Sequence, residues 1–493
     1  MKKKLYLNTL LSLVYQIFTV IIGLIIPRLI LSSFGSAVNG LVQSITQMLS
    51  IIALLDLGVG AVVQASLYKP LVDKNENKIS LIYSSAKKYF NSIARILIIY
   101  ICILIFYYSF FKGNDFSWVY STTLIIAISI SSFAQYYFGI CNSLLLYADQ
   151  KIYIPTVINL ITLVLNAIIT IILLSFNSSI QIVKLLSSLI YILRPLYLNY
   201  YVKKHYNIKL IKNPPKDAVA NKWSGLAQHV ATNLTISADS IILTFFSSFN
   251  IVSIYNIYVM PLNALRTLLE TASSSYKSFF GNLIAKNKLC DVSIEFDKYE
   301  ILVHFVVVVI FSCVSKVLVP FVLIYTQGIT DANYENYIFS YLITLAYAIY
   351  SLRLPYTTLI IAAGKFRETQ IYSIVECILN IILSIILVKY IGIAGVALGT
   401  CISVGYRTFM SVYYLKKDIL YRSLGKFIKL IFVDIISVFS ILILSSSLNF
   451  NGTNFFNWIR YSFIILSICI LTTLIFFITF FPWRFIKILK KEK

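Results

Sequence analysis

Long apolar runs alternate with short charged stretches along the whole chain. Runs such as 93–111, 153–174 and 459–481 each reach the roughly 20 residues that an α-helix needs to cross a bilayer. A backbone in lipid must satisfy its own hydrogen bonds, and these continuous runs lack the short alternating segments of a membrane β-barrel. The pattern therefore predicts an all-α polytopic membrane protein.

About fourteen membrane-spanning helices are predicted from this pattern. The first run follows three lysines and continues to Leu31 without a small-residue cleavage site, so we interpret it as an uncleaved helix rather than a signal peptide. The predicted spans are 10–31, 38–67, 91–111, 117–146, 153–175, 180–202, 223–249, 251–275, 300–326, 336–362, 368–390, 393–415, 427–448 and 457–481.

Composition and charge agree with a membrane protein and give it an orientation. Charged residues are 12% of the chain, against about 25% in a typical soluble domain. Thirty-one Lys and Arg residues fall in alternate connections and three in the others, so the positive-inside rule predicts a cell-membrane protein (plasma or inner membrane) with both termini in the cytoplasm. Orientation and contact with anionic lipids then explain the net charge of +23, rather than nucleic-acid binding.

The sequence carries no motif of a soluble catalytic unit. It has no Walker motif, no GxSxG elbow and no GxGxxG loop, and its seven cysteines are scattered without a CxxC pair. We therefore predict no enzyme activity, no disulfide, no bound metal and no organic cofactor.

The sequence repeats itself at a nearly constant spacing. Arg194 and the lysine pair that ends span six correspond to Arg407 and the lysine pair that ends span twelve, and Asn166 corresponds to Asn380. This spacing predicts two parallel six-helix halves, an arrangement found in transporters. The predicted domains are an N-terminal half at 1–204, a linker at 205–222, a C-terminal half at 223–417, and two added helices with a basic tail at 418–493.

Three arginines inside the predicted spans lie close to prolines, where a helix is bent or broken. Arg28 follows Pro27, Arg266 lies one and a half turns after Pro261, and Arg353 precedes Pro355. A charge within the membrane is costly and faces protein or water, so we predict that Arg28, Arg266 and Arg353 line a substrate-binding cavity. For Arg266 the alternative is an ion pair with Glu270, four residues on.

Spans one, two, seven and eight are less apolar than the others. Because such helices cannot face lipid on all sides, we predict that they line a central cavity between the two halves. The alternative is hydrogen bonding between helices. The predicted cavity-lining residues are Gln43, Gln47, Asp56 and Asn233.

Oxygen-bearing side chains at similar predicted depth mark a candidate cation site. Asp239 lies in span seven, Glu376 and Asn380 share a face of span eleven, and Thr400 lies in span twelve. Carboxylate, amide and hydroxyl oxygens suit a hard cation, and a carboxylate alone can carry a proton. Buried ion pairs with the arginines are the alternative. His304 is interpreted as a packing or hydrogen-bonding residue.

Three segments resemble motifs of the multidrug/oligosaccharidyl-lipid/polysaccharide exporter superfamily. They are the acidic, glycine-rich segment at 56–60, the aspartate motif at 239–242 and the glycine-rich turn at 392–400. Together with the two six-helix halves and the intramembrane arginines, they make the chain most similar to the bacterial polysaccharide flippases of the O-antigen and capsule (Wzx-like) type.

The resemblance implies a function and a set of partners. It implies that the chain moves polyprenyl-pyrophosphate-linked oligosaccharide units from the cytoplasmic to the outer leaflet by alternating access, for synthesis of a surface polysaccharide such as capsule, O-antigen or exopolysaccharide. Membrane lipids are further partners, together with a polysaccharide polymerase and chain-length proteins. Na⁺ or H⁺ would be the coupling ion. Related lipid II flippases place sodium between spans seven, eleven and twelve, where Asp239, Glu376, Asn380 and Thr400 lie.

Three alternatives remain open at this point. One is a lipid II flippase. Another is a drug or cation antiporter of the same superfamily, which favours a more acidic cavity with fewer arginines. The third is a membrane polysaccharide polymerase, which requires a large external loop, whereas the longest predicted external connections are only about ten residues.

Overall fold

The computed structural model describes residues 2–52, 57–112, 115–211, 226–420 and 422–482. Within these ranges the chain consists of helices joined by turns and short loops, and it has no strand. The helices are α1 (Lys2–Ser50), α2 (Leu57–Val72), α3 (Glu76–Phe111), α4 (Trp118–Ala134), α5 (Ile140–Ala148), α6 (Tyr153–Ser175), α7 (Ile180–His205), α8 (Leu226–Phe246), α9 (Phe249–Ala285), α10 (Leu289–Tyr325), α11 (Tyr337–Leu352), α12 (Leu354–Ala362), α13 (Phe366–Asp418), α14 (Leu424–Leu444) and α15 (Phe455–Phe480). A π-helical segment, Gln135–Gly139, joins α4 to α5.

These helices confirm the predicted multi-pass membrane fold. In the described residues, ten helical stretches are long and apolar enough to cross a membrane. Two of them, Leu10–Ser50 and Arg367–Asp418, are 41 and 52 residues long. Each contains a break and covers more than one predicted span. The more polar α8 and α9 are not among the ten, as their sequence leads us to expect.

Glycine permits both of these breaks. In α1 the backbone of Gly35 has φ 81°, and in α13 that of Gly392 has φ 58°. These positive-φ conformations are readily adopted only by residues without a Cβ atom. The break at Gly392 turns α13 back on itself, so that its two arms, 366–390 and 393–418, lie side by side.

The helices cluster into two compact units, Met1–Val230 and Ala231–Lys493. In the first unit, α7 packs against α4 and α6, α1 against α6, and α3 against α2 and α4. In the second unit, α13 packs against α11, and α9 against α12. The helix α10 contacts α11, α14 and α15, so the two added helices pack within the second unit.

Helix bounds recur between the two units at the spacing seen in the sequence. The helices α3 and α10 begin at equivalent positions, Glu76 and Leu289, and α7 and α13 end at equivalent positions, His205 and Asp418. Positive-φ residues that follow helices or break them recur in the same way, as Lys74 with Asn287, Gln150 with Gly364, and Asn177 with Gly392. The repeat therefore extends from side chains to backbone turns.

Contact between the two arms of α13 yields a first prediction. A Cβ atom added at Gly395 would lie 2.3 Å from the backbone oxygen of Leu387, which cannot move without distorting the first arm. We expect Gly395→Ala to lower the free energy of unfolding by about 1–3 kcal/mol, measured by thermal unfolding in detergent.

Gly405→Ala is the matched control, because a Cβ atom at Gly405 on the same helix meets no heavy atom within 4 Å. Alanine also favours a helix over glycine, so this variant should be at least as stable as the wild type. Equal stability of the two variants would contradict the close packing of the arms.

Candidate functional site

The second unit contains a polar cavity of about 40 Å³ among α8, α9, α11 and α13. This volume accommodates about three water molecules, given the roughly 10–15 Å³ that each requires by this measure. It is too small for a sugar or a pyrophosphate in the conformation described. The polar lining residues are Thr232, Thr235, Asp239, Tyr255, Arg266, Tyr347, Tyr350, Arg353, Glu376 and Thr400.

Asp239 lies at the centre of a hydrogen-bonded cluster in this cavity and is 3% exposed. Its Oδ2 atom accepts a hydrogen bond from Thr400 Oγ1 at 2.7 Å and one from Tyr255 OH at 3.1 Å. Its Oδ1 atom accepts a hydrogen bond from Asn380 Nδ2 at 3.2 Å. Asn380 and Thr400 lie on opposite arms of α13, and Asn380 Nδ2 also donates to Thr400 Oγ1 at 2.9 Å. The structure thus brings together three of the four residues predicted for a cation site.

The donor set of this cluster fits a small hard cation. Asn380 Oδ1 is buried and has no hydrogen-bond partner among the described residues. The two ends of a side-chain amide are assigned from their surroundings, and exchanging them would turn this oxygen toward Asp239. One carboxylate, one amide oxygen and two hydroxyl oxygens would then converge, which is the oxygen-rich set that Na⁺ prefers.

Glu376 is placed differently, in a buried triad with two arginines. Its Oε1 atom is 2.6 Å from Arg353 Nη1, and its Oε2 atom is 2.6 Å from Arg407 Nη1. All three side chains are at most 7% exposed. Arg407 also donates to Thr232 Oγ1 at 3.2 Å. Both oxygens of Glu376 are therefore engaged by cations, one helical turn from Asn380, and the ion-pair interpretation holds for Glu376 but not for Asp239.

Arg266 makes weaker contacts than Arg353. Its Nε atom is 3.6 Å from Glu270 Oε1, which is too long for a hydrogen bond, and this buried nitrogen has no hydrogen-bond partner among the described residues. Its guanidinium lies 6.0 Å from the ring centroid of Tyr347 and 5.6 Å from that of Tyr350. The expected ion pair with Glu270 is present, but Glu270 is shared with the hydroxyl of Tyr350, which donates to it at 2.5 Å.

The remaining predicted residues are not among those that line this cavity, or they fall outside the described ranges. Arg28, Gln43 and Gln47 are half-buried on α1 of the first unit, and Asn233 is half-buried on α8. Asp56 lies outside the described residues. A cavity position for these residues stays a prediction.

The first unit carries a related arrangement without the acid. Arg194 matches Arg407 in the repeat, and its Nε atom donates to Thr162 Oγ1 at 2.5 Å. Thr162 and Glu376 occupy equivalent positions in the repeat, so a hydroxyl stands where the second unit has a carboxylate. The guanidinium of Arg194 also lies 4.2 Å from the ring centroid of Tyr191.

The tyrosines of the cavity do not stand out in the sequence, because aromatic residues are abundant in every part of the chain. Tyr347, Tyr350 and Arg353 follow one another at intervals of three positions, so they lie on one side of α11 and its C-terminal end. Tyr255 precedes Arg266 by three helical turns on α9. Spacing relative to the intramembrane arginines is therefore the signal that could identify them.

Comparison with known proteins places this geometry in a known fold. No protein-family model matches the chain, and no curated protein matches it. Among solved structures, it is similar to the lipid II flippase MurJ in an inward closed conformation, with a TM-score of 0.69 and 16% identity over 96% of this chain and 99% of that chain. The chain has the fold of this flippase.

Two further structures share the fold at lower scores. An inward-facing multidrug resistance MATE family transporter of the MOP superfamily has a TM-score of 0.57 and 10% identity over 82% of this chain and 94% of that chain. A MOP superfamily transporter from Pyrococcus furiosus has a TM-score of 0.53 and 10% identity over 85% of this chain and 95% of that chain. At these identities the likeness shows the fold alone.

The buried triad yields a second prediction. Glu376→Gln removes the negative charge between Arg353 and Arg407 and leaves two buried cations facing each other. We expect a loss of about 3–5 kcal/mol in the free energy of unfolding, measured by thermal or chemical unfolding in detergent.

Glu368→Gln is the control, because this exposed carboxylate on the same arm of α13 pairs with exposed Lys365, at 3.1 Å. Its loss should cost less than about 1 kcal/mol. A Glu376→Gln variant as stable as Glu368→Gln would show that the triad contributes little to folding.

Proposed function

We propose that the chain is a flippase that moves a polyprenyl-pyrophosphate-linked oligosaccharide from the cytoplasmic to the outer leaflet by alternating access. The observation that carries this proposal is a single cavity in which a loosely held arginine, Arg266, lies close to a cation-type oxygen cluster around Asp239. The fold shared with a lipid II flippase supports the same class of substrate.

Charge balance explains how an ion would favour this substrate. Two cations, Arg266 and Arg353, and two acids, Asp239 and Glu376, line the cavity. Beside this lining, Arg407 pairs with Glu376, and Glu270 lies next to Arg266, so one further charge of each sign is added. The described wall is therefore neutral while Asp239 is ionised. Binding of Na⁺ or H⁺ at Asp239 would leave an excess of one positive charge, which attracts the anionic pyrophosphate.

The two cavity arginines are proposed to have different roles. Arg353 is fixed by Glu376 at 2.6 Å, so it holds the wall in place. Arg266 retains an unbonded Nε–H, and a guanidinium offers paired donors that match phosphate oxygens. Because the described cavity admits only water, head-group binding would require it to widen, with the lipid tail remaining in the bilayer.

The exported unit would next be used on the outer side of the membrane. A polysaccharide polymerase with its chain-length proteins would consume it there, which makes these proteins proposed partners along with the membrane lipids. Flipping of lipid II is the second candidate, favoured by the likeness to MurJ. An antiporter of drugs would suit an excess of acid in the cavity, and the wall described here has none.

A flipping assay tests the proposal. Purified protein in liposomes should move a fluorescent polyprenyl-pyrophosphate oligosaccharide across the bilayer, and Arg266→Ala should slow this at least tenfold, because one charge-assisted contact contributes about 1.5–3 kcal/mol. Arg28→Ala tests the predicted role of the first unit in the same assay.

Arg367→Ala is the matched control, since this arginine is exposed at the start of α13. The Arg367→Ala variant should move the lipid-linked oligosaccharide at the wild-type rate. Movement of lipid II but not of other glycans would favour the second candidate. Failure of folded wild-type protein to move any lipid-linked glycan, with and without ion gradients, would overturn the proposal.

The ion is tested by the same assay with equal ion concentrations on both sides of the liposome membrane. If an ion at Asp239 favours head-group binding, raising the Na⁺ concentration or lowering the pH should accelerate flipping in the wild type, and Asp239→Asn and Thr400→Val should abolish or weaken the acceleration. Asp291→Asn removes an exposed carboxylate of α10 and should leave the ion-dependent acceleration of flipping unchanged. Equal stimulation of the wild type and Asp239→Asn would exclude this aspartate as the site.

A further inference from the structure

A second buried polar network lies in the same unit, away from the cavity. His304 of α10 is fully buried, and its Nδ1 atom is 2.6 Å from Oδ2 of Asp434 on α14, which is 5% exposed. Oδ1 of Asp434 is buried and has no hydrogen-bond partner among the described residues. Burying an ionisable pair at this depth is costly, which makes it a candidate functional site, and neither residue lines the cavity described above.

The network continues from His304 toward the end of the unit where α10 and α14 begin. His304 Nε2 lies 3.4 Å from the hydroxyl of Tyr356 on α12. That hydroxyl donates to Glu300 Oε1 at 2.7 Å, and Arg422 Nη2 donates to both oxygens of Glu300, at 2.9 and 2.7 Å. Tyr356 and Glu300 are 1% and 2% exposed.

The hydrogen atoms along this network show that it holds one proton more than a neutral His304 beside an ionised Asp434 would supply. The hydroxyl of Tyr356 has one hydrogen, which it gives to Glu300, so His304 Nε2 must donate to the tyrosine. The short contact of His304 Nδ1 with Asp434 then needs a hydrogen as well. The imidazole carries it as a cation, or Asp434 carries it as a neutral acid.

Without this proton, one of the three hydrogen bonds is lost. A neutral His304 that donates from Nδ1 to ionised Asp434 would have a bare Nε2, and the single hydrogen of Tyr356 cannot serve both Nε2 and Glu300. The geometry is therefore complete only when the His304–Asp434 pair carries one proton more than a neutral imidazole beside an ionised carboxylate.

The Glu300 end of this hydrogen-bonded network opens to a pocket that water can enter. Glu300 lines a pocket of about 360 Å³ together with Asp297, Lys426, Lys429 and the ends of α14 and α15. Lys426 is 2.9 Å from Asp297, and these charged groups form one part of the pocket lining, beside apolar residues such as Leu430 and Phe480. By the positive-inside pattern of the sequence, this pocket lies on the cytoplasmic side.

We propose that His304 and Asp434 form a proton-binding site within the membrane region, which exchanges its proton with the pocket through Tyr356 and Glu300. The ionisable groups that face His304 are Glu300 on α10, Tyr356 on α12, Asp434 on α14 and Arg422 before α14. The site is distinct from the Asp239 cluster and does not depend on what the protein transports.

Nitrogen-15 NMR of histidine-labelled full-length protein in lipid nanodiscs at pH 7.5 tests the site without any transport assay. The chain has three histidines, so a His229→Gln variant leaves the signals of His304 and of exposed His205. We expect His304 as an imidazolium or as the Nε2–H tautomer beside a neutral Asp434. A His304 that is neutral with a bare Nε2 would overturn the proposal, and His205 serves as the exposed reference in the same spectrum.

Two variants test the pair and the route separately. Asp434→Asn removes the ionisable carboxylate, and its amide can still donate to Nδ1. A wild-type imidazolium signal should therefore give way to the neutral Nε2–H tautomer. A wild-type Nε2–H signal should instead persist, while the infrared band of a protonated carboxyl group is lost; His205 is unchanged in both cases. Tyr356→Phe keeps the pair but removes the link, so exchange of the His304 ring protons with water should slow at least tenfold. With folding confirmed by size-exclusion chromatography, an imidazolium signal that persists in Asp434→Asn would count against the pair. So would a neutral wild-type His304 without a protonated-carboxyl band that Asp434→Asn removes. Unchanged exchange in Tyr356→Phe would count against the route.

Discussion

The cost of removing charge from water governs the structure of the second unit. Arg353, Glu376 and Arg407 are almost completely buried, and an isolated charge at such a depth would cost several kcal/mol. Two contacts of 2.6 Å offset this cost and, in doing so, tie the junction of α11 and α12 to both arms of α13. Asn380 lies one turn beyond Glu376 on the first arm, so the triad also sets the height at which Asn380 meets Thr400 and Asp239. The geometry of the cation-type cluster thus depends on an ion triad that does not belong to it.

The same reasoning accounts for the difference between the two units. Their turns and helix ends recur at nearly constant spacing, yet the arginine of the first unit pairs with the hydroxyl of Thr162, where the second unit has Glu376. A hydroxyl cannot neutralise a guanidinium, and Arg194 instead lies over the ring of Tyr191 and donates to the carbonyl of Asn159. A repeated backbone therefore carries different electrostatics in its two copies. Glu376 and the cluster around Asp239 both belong to the second unit.

The fold is largely predictable because lipid imposes simple rules on sequence. Span length, the repeat and the glycine of the turn before span twelve are all visible along the chain, and Gly392 does adopt the conformation that such a turn requires. The site is predictable in composition but not in pairing. Chemistry and depth select Asp239, Asn380 and Thr400, whereas the rotation of each helix about its axis, which turns Glu376 toward two arginines, is set by packing. His304 and Asp434 are 130 residues apart, so no local pattern could show that their side chains meet.

The short helix α12 connects the two buried networks. It begins directly after Arg353, which belongs to the triad, and it carries Tyr356, which links His304 to Glu300. Tyr356 lies only three positions after Arg353, and Pro355 between them limits the freedom of the backbone. A backbone movement at this junction that draws Arg353 away from Glu376 would carry Tyr356 with it, and the 3.4 Å contact with His304, the longest in this hydrogen-bonded network, would be the first to break. In the proposed scheme, proton occupancy of the His304–Asp434 pair and the state of the cavity wall would thus be linked through one turn of helix, with no need for a longer pathway through the unit.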